Sequence, residues 1–321
     1  MLNVALLKNC VLFRLKTQCF GNRRKGELTD EAVQEIIGAP GEVETAEAYG
    51  KRIQDAKRRL KLGKSLVQAV EYDKIKEFQA NTRDRLLSRY CNRSFIDEGL
   101  YAVKADCVSL VEKEITEAIE QLQTEYVPPF VAVYPAKVAE ARKVFNGQFK
   151  EKDYPATERL PEMFGFSYRW VKLDVPEGLP PEIREQEERK LRESFAAAQE
   201  AIQGALWAEF QKFLEHVTDR LKPGTDGKRK TFRDTLFTDL AEFTQAFQNR
   251  NAFNDEKLAK LVSDTNSILE SIGKTPAEAA AKMRDFENLR DRTAEVFAKV
   301  KAEVDTTIVT MPKRAFDFSE D

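Results

Sequence analysis

One segment limits what this chain can become. From Pro181 to Leu221 the apolar residues Leu191, Phe195, Ala198, Ile202, Leu206, Phe210, Phe213, Val217 and Leu221 follow one another at intervals of three or four, with no proline after the first position. The pattern predicts a single helix of 41 residues, a rod about 60 Å long. Nine of the twelve residues from Glu182 to Glu193 are charged, with mixed sign, so the opening three turns are expected to face solvent or a polar partner. Trp207 and Leu214 widen the apolar stripe further on, and that half is expected to lie between neighbours.

Other helical patterns surround it. Thr275-Pro276-Ala277-Glu278 supplies an N-cap hydroxyl, a proline at the first helical position and a glutamate at the third. A second long helix should start there, with Met283, Phe286, Leu289, Thr293, Val296, Val300 and Val304 on one side. The helix before it, through Leu258, Leu261, Thr265, Ile268 and Ile272, stops at Gly273, and with only Lys274 between them the two should fold back as an antiparallel pair. Phe232, Leu236, Leu240, Phe243 and Phe247 mark a helix upstream, reached through the turn formers Pro223 to Gly227. In the first half, Val67 to Tyr90 describes one helix and Val108 to Tyr126 another, with coiled-coil-like spacing. Pro128 and Pro129 are expected to break the latter, and Pro135 to open a shorter helix through Phe149. Strand patterns fall at Cys10 to Phe20, Gly99 to Lys104, Phe164 to Val175 and Thr306 to Phe318, the clearest being the alternation of Phe164, Phe166, Tyr168 and Trp170.

These elements predict a mainly α (α+β) fold: long antiparallel helices forming an elongated bundle or coiled coil, with a small sheet drawn from distant segments. Residues 1–180 would form a mixed part, and residues 181–321 a long-helix bundle with a strand-like tail. Composition agrees, since 33% of residues are charged while glycine and proline number only 14 and 12. The longest uncharged stretch, Tyr126 to Ala136, has 11 residues and three prolines, so no bilayer span is expected. Met1 to Leu7 is apolar but lacks the basic flank of a secretion signal and reads as structure. Four cysteines at irregular spacing, Cys10, Cys19, Cys91 and Cys107, fit reduced thiols in the cytoplasm.

Chemical motifs are scarce. Gly63-Lys64-Ser65 and Gly273-Lys274-Thr275 look like ends of phosphate loops, but Arg58 and Ile268 stand where the first glycine belongs, so the backbone could not wrap a phosphate. His216 is the lone histidine and gives zinc or a nucleophile triad nothing to build on. No cofactor or metal is expected, and no catalytic residue stands out. Asp153-Tyr154-Pro155 reads as a turn with an Asp-capped backbone. Two basic clusters remain: Lys57, Arg58, Arg59, Lys61 and Lys64, within the stretch beginning at Lys51, and Lys228, Arg229, Lys230 and Arg233. Either could lie on a phosphate backbone, yet neither interleaves the aromatics that stack single-stranded bases. A solvated face or an acidic protein partner is the preferred reading.

Several short segments, taken in order, resemble an uncharacterised family carried by phages, plasmids and bacteria. They are the basic region from Lys51 with Lys64-Ser65-Leu66, Phe95 followed by Gly99-Leu100-Tyr101-Ala102-Val103, Tyr134-Pro135 leading into Ala139-Glu140-Ala141, and Asp153-Tyr154-Pro155. Phe164-Gly165-Phe166, Asp226-Gly227 with Phe232-Arg233-Asp234, and Arg250-Asn251 before Asp255 complete the set, so the similarity runs roughly from Phe13 to Phe318. Genes of that family lie beside a MoxR-type AAA+ ATPase and a protein with a von Willebrand factor A domain. The resemblance carries over no catalytic residue. It implies a non-enzymatic, cytoplasmic adaptor or client-recognition protein for the ATPase and A-domain module. The alternatives are a nucleic-acid-associated phage protein using the basic clusters and a virion or assembly component.

Overall fold

The computed structural model describes residues 9–25, 30–40, 45–59, 63–93, 96–224, 228–233 and 235–310. The apolar start Met1 to Leu7 lies outside them. Helix makes up 72% of the structure. Ten α-helices are present among the described residues: α1 (Asp30–Ile37), α2 (Ala46–Arg59), α3 (Val70–Tyr90), α4 (Val108–Gln121), α5 (Val127–Phe145), α6 (Pro181–Leu221), α7 (Thr235–Arg250), α8 (Glu256–Ile272), α9 (Pro276–Asp285) and α10 (Glu287–Thr310). Strands β1 (Cys10–Gln18), β4 (Cys91–Arg93), β5 (Tyr101–Lys104) and β6 (Gly165–Val171) form a sheet in the order β4-β5-β1-β6, while β2 (Arg23–Lys25) pairs with β3 (Gly63–Ser65). β1 runs antiparallel to β5 with Cys10 opposite Lys104 and Phe13 opposite Tyr101. The fold is mainly α with a small sheet from distant segments.

The chain divides into two compact units that interleave along the sequence. One takes in the chain up to Leu15, Asp84–Glu114 and everything from Tyr168 onward; the other takes Lys16–Arg83 and Ile115–Ser167. No single cut at residue 180 separates them.

In the first unit α6 is continuous over 41 residues, and its ten buried side chains all lie from Phe195 onward. The charged opening turns carry none. Phe195, Ala198 and Ile202 pack with Cys10, Leu12, Leu100 and Ala102 of the sheet region. From Leu206 to Leu221 the same helix joins a larger cluster with α7, α8, α9 and α10. Trp207 donates its indole N–H to Asp255 (2.7 Å), whose other oxygen caps α8 by accepting from the Leu258 N–H (2.9 Å). Gly273 ends α8 where an added Cβ would meet the Ala279 nitrogen at 2.5 Å, so glycine is required by the close approach of α9 and not by an unusual φ. Thr275 caps α9 by accepting from the Glu278 N–H, while Glu278 reaches back to the Lys274 N–H, one residue earlier than a standard capping box.

Four expectations are corrected. The second long helix is two helices, because Phe286 adopts an extended conformation (φ −121°, ψ 95°) between α9 and α10. Phe286, at the break, is 61% and Val296 39% exposed, while Phe297 is fully buried; Thr293 and Val304 of the expected stripe stay buried, and Leu289 and Val300 pack against the core. Pro128 and Pro129 do not end the helical path, since a π turn at Leu122–Tyr126 precedes them and they occupy the first positions of α5, where missing N–H groups cost little. Pro135 sits inside α5 and does not open it. Thr306 to Thr310 belongs to α10 and not to a strand, and the rest of that pattern lies outside the described residues.

In the second unit an aromatic cluster forms the centre. Tyr72 meets Phe20 and Phe164 with ring centroids 6.2 Å apart and Phe130 at 5.6 Å. The Tyr72 hydroxyl donates to the Phe20 carbonyl (2.8 Å), and the Gln79 amide donates to the carbonyls of Gln18 (2.8 Å) and Gly165 (2.9 Å). Gln123, in the π turn, donates to the carbonyls of Pro161 (3.1 Å) and Phe164 (2.8 Å). The irregular turn therefore braces the loop that leads into β6, adding a second donor to the Pro161 carbonyl, which also accepts from the Phe164 N–H.

The break at Phe286 makes a test that helical periodicity alone would reverse. Phe297→Ala is expected to lower unfolding free energy by about 4 kcal/mol through the cavity it leaves, whereas Phe286→Ala should change it by less than about 1 kcal/mol. Urea unfolding followed by circular dichroism measures both, and equal losses would show that the break is misplaced.

Candidate functional site

In the first basic cluster, Lys57 and Lys64 are engaged by the protein itself. Lys57, near the end of α2, forms an ion pair with Asp30 at the start of α1. Arg58 and Arg59 close α2, and Lys61 lies outside the described residues. Lys64 in β3 has a side chain only 6% exposed; its ammonium stands 2.9 Å from the Asp153 carboxylate. It also donates to the Gln148 carbonyl (2.9 Å) and lies 5.7 Å from the Phe145 ring centroid. Arg24, opposite Lys64 in the β2–β3 ladder, approaches the same carboxylate at 3.9 Å. The hydrogen bond from Lys64, with the nearby charges of Lys64, Arg24 and Lys150, holds the Asp153 carboxyl below the usual carboxylate range.

Asp153-Tyr154-Pro155 is therefore a bracing segment and not a self-capped turn. Its carboxylate neutralises a buried lysine, the Tyr154 hydroxyl donates to the Leu66 carbonyl (3.3 Å), and the Pro155 carbonyl accepts from Tyr134 (3.1 Å). Such a lysine has no charge left to hold a phosphate. Lys274 sits in the α8–α9 corner, where its N–H is taken by Glu278.

The second cluster divides. Arg229 grips Asp291 of α10 with both terminal nitrogens (2.8 Å for one) and lies 4.0 Å from Glu287. Lys230 donates to Asp219 of α6 (2.6 Å), and the Lys228 carbonyl accepts from Gly224 (2.8 Å). Arg233 behaves differently. It lines a groove of about 430 Å³ together with His216 and Arg220, one turn apart on α6. Thr231 and Thr235 add hydroxyls, and Phe232 and Leu236 supply apolar wall. Among the described residues no carboxylate lines the groove, but the Asp219 carboxyl, held below its usual range first by the hydrogen bond from Lys230, also interacts with the charges of Arg220 and His216.

The wall behind the groove is also cationic. Phe232 lies between two guanidinium groups, with Arg284 5.3 Å and Arg290 5.0 Å from its centroid, and its edge meets Phe237 at 5.8 Å. Arg290 is buried, and its hydrogen bonds go to the carbonyls of Leu221 (3.0 Å), Arg220 (2.7 Å) and Lys230 (2.6 Å). It thus closes the C-terminal end of α6, where unpaired carbonyls and the helix dipole favour a cation. Three carbonyls satisfy its donors without cancelling its charge.

A second groove in the same unit, about 690 Å³, shows the contrast. Its cations have carboxylate partners: Arg89 donates to Glu114 (2.9 Å), and Arg250 binds Glu209 through both terminal nitrogens (3.0 and 2.6 Å). Asp239 and Glu242 line it as well. Cys10 and Cys91 are buried thiols whose pKa is pushed up to about 12 by burial, so neither is a nucleophile near neutral pH.

Sequence reasoning singled out Arg233 but left His216 as an isolated helix residue and passed over Arg220. Their spacing of four on α6 was visible; their approach to the loop that follows was not. The chain matches no family model, no curated protein and no solved structure.

Lys64 and Lys274 can be separated experimentally. Lys64→Met is expected to destabilise the protein by about 3 kcal/mol because Asp153 loses its buried partner, and Lys274→Met by less than about 0.5 kcal/mol; titration calorimetry with ATP should be flat for the wild type and both variants. The pH dependence follows from the direction of the Asp153 shift. A depressed native pKa stabilises the fold fully above the unfolded carboxylate value of about 3.9, and the contribution is lost as pH falls through the lower native value. The stability difference between wild type and Asp153→Asn should therefore shrink as pH is lowered from 6 to 2 in urea titrations.

Proposed function

We propose that this protein is a non-enzymatic adaptor that holds two other proteins at the opposite ends of one helix. The observation that carries the reading is the asymmetry of α6. Its first fourteen residues bury no side chain, whereas all ten of its buried positions lie between Phe195 and Leu221. Leu191 of this segment packs in part against the core that follows, and the charged residues around it are available for a polar partner. At the other end, about 60 Å away along the helix, the basic groove supplies a second, chemically different surface. The elongated-bundle reading belongs here too, since α6 and its neighbour α10 offer a long helical surface and no cofactor motif.

The resemblance noted in the sequence names the partner class: a MoxR-type AAA+ ATPase and an A-domain protein. The nucleic-acid reading is less favoured, because Lys57, Lys64, Arg229 and Lys230 already neutralise carboxylates of this chain.

Coexpression with such an ATPase and A-domain protein should give a complex that survives gel filtration in at least one nucleotide state. Reversing charge at Glu182, Glu185 and Arg189 together should release one partner and leave the other bound, with the circular dichroism spectrum unchanged. No association in any nucleotide state would overturn the adaptor reading and move the nucleic-acid and virion alternatives ahead.

A further inference from the structure

We propose that the charged opening of α6 pairs with the same segment of a second copy of this chain, antiparallel, about a two-fold axis between Glu188 and Arg189. The ten residues from Arg184 to Glu193 run Arg-Glu-Gln-Glu-Glu-Arg-Lys-Leu-Arg-Glu. Reversed, with each charge exchanged, the order of signs is unchanged: Arg184 answers Glu193, Glu185 answers Arg192, Glu187 answers Lys190 and Glu188 answers Arg189. Four positive and four negative side chains leave the run without net charge, so neither a phosphate backbone nor a peptide of one sign is drawn to it. Its complement is the same run in the opposite direction. The inference stands on this segment alone and goes beyond the adaptor reading; self-pairing and another protein would compete for the same residues.

The helix makes the match usable. All ten positions lie in the continuous α6; none is buried and six are exposed. Leu191, Phe195, Ala198 and Ile202 mark the side of α6 turned to its own core, and at about 100° per residue Gln186, Arg189 and Glu193 fall on the opposite side. Glu185 and Arg192, two turns apart, share one edge of that outer side, and Glu187 and Lys190 share the other. In an antiparallel pair Glu185 then stands level with Arg192 of the second copy, and Glu187 with Lys190 of the second copy, each contact repeated by the axis. Ile183, 46% exposed, comes level with the small Ser194. A parallel pair would set like charges side by side, which is costly. Within one chain Lys190 bonds Glu187 (2.7 Å), yet the two side chains stay 60% and 41% exposed, so this pair can exchange partners across the axis. The matched run is about 15 Å long and exposed ion pairs are individually weak, which makes the dimer transient, with a dissociation constant on the order of 100 µM at low salt.

The test is sedimentation velocity on the full chain at protein concentrations from about 10 to about 1,000 µM. A monomer–dimer equilibrium is expected, with the dissociation constant rising about tenfold between low and physiological salt. Two triple variants separate the charges: Glu185→Lys with Glu187→Lys and Glu188→Lys, and Arg189→Glu with Lys190→Glu and Arg192→Glu. Each alone opposes like charges and should weaken the dimer by more than about tenfold, whereas an equimolar mixture of the two should restore a one-to-one dimer. A monomer at every concentration, a dimer that either variant forms as well as the wild type, or a mixture that stays monomeric would overturn the proposal. If a variant fails to fold, carbodiimide cross-linking of the unmodified protein decides, using a mixture of nitrogen-15-labelled and unlabelled chains. A cross-link between Glu187 of a labelled chain and Lys190 of an unlabelled one supports the pairing, and cross-links confined within chains of one label reject it. A dimer without an ATPase complex would leave this inference standing and remove the adaptor reading; a complex built from a protein that is always monomeric alone would do the reverse.

Discussion

One helix has to serve two apolar clusters. The stripe on α6 first covers the sheet through Phe195, Ala198 and Ile202 and then, from Leu206 to Leu221, becomes the centre of a five-helix cluster. A kink in its middle would tear one cluster from the other, and the run of helix formers with its sole glycine at Gly204 keeps it straight enough to avoid that. Its C-terminal end needs a cation inside the core, and Arg290 supplies it from α10. In α10, which starts at Glu287 after the extended Phe286, Arg290 and Phe297 both face inward.

Charge in this protein is handled by internal pairing. With 52 basic and 54 acidic residues, a chain of this kind can hide apparent patches in ion pairs, as Lys57 and Lys64 do in one sequence cluster and Arg229 and Lys230 in the other. Exposed pairs of that sort contribute little to stability, but they decide which cations remain to meet another molecule.

The segments that carry the family resemblance have structural work in this fold. Lys64-Ser65-Leu66 meets Asp153-Tyr154-Pro155 through an ion pair and a tyrosine hydroxyl. Gly99 stands at φ +72°, a left-handed position that glycine tolerates best. Asn251 bonds to the backbone of Asp255, which in turn caps α8 and receives the Trp207 indole. Some of these contacts are local, as between Asn251 and Asp255, and others, as between Lys64 and Asp153 or Trp207 and Asp255, join residues far apart in sequence.

The sequence by itself determined the elements whose signal is local. Helix α6, the Gly273 stop, the Thr275 cap and the strands β1, β5 and β6 follow from periodicity and capping chemistry, which act over a few residues. Phe286 shares a helical stripe with Met283, yet it is exposed, because the backbone is extended at that residue, and no local rule announces it. The same holds for Pro128 and Pro129, which a preceding π turn makes harmless. Candidate binding residues were legible as charge and illegible as availability: Lys64, Arg229 and Arg233 look alike in the sequence, and only the fold decides which cations meet a carboxylate, because their described partners, Asp153 for Lys64 and Asp291 for Arg229, lie more than sixty residues away.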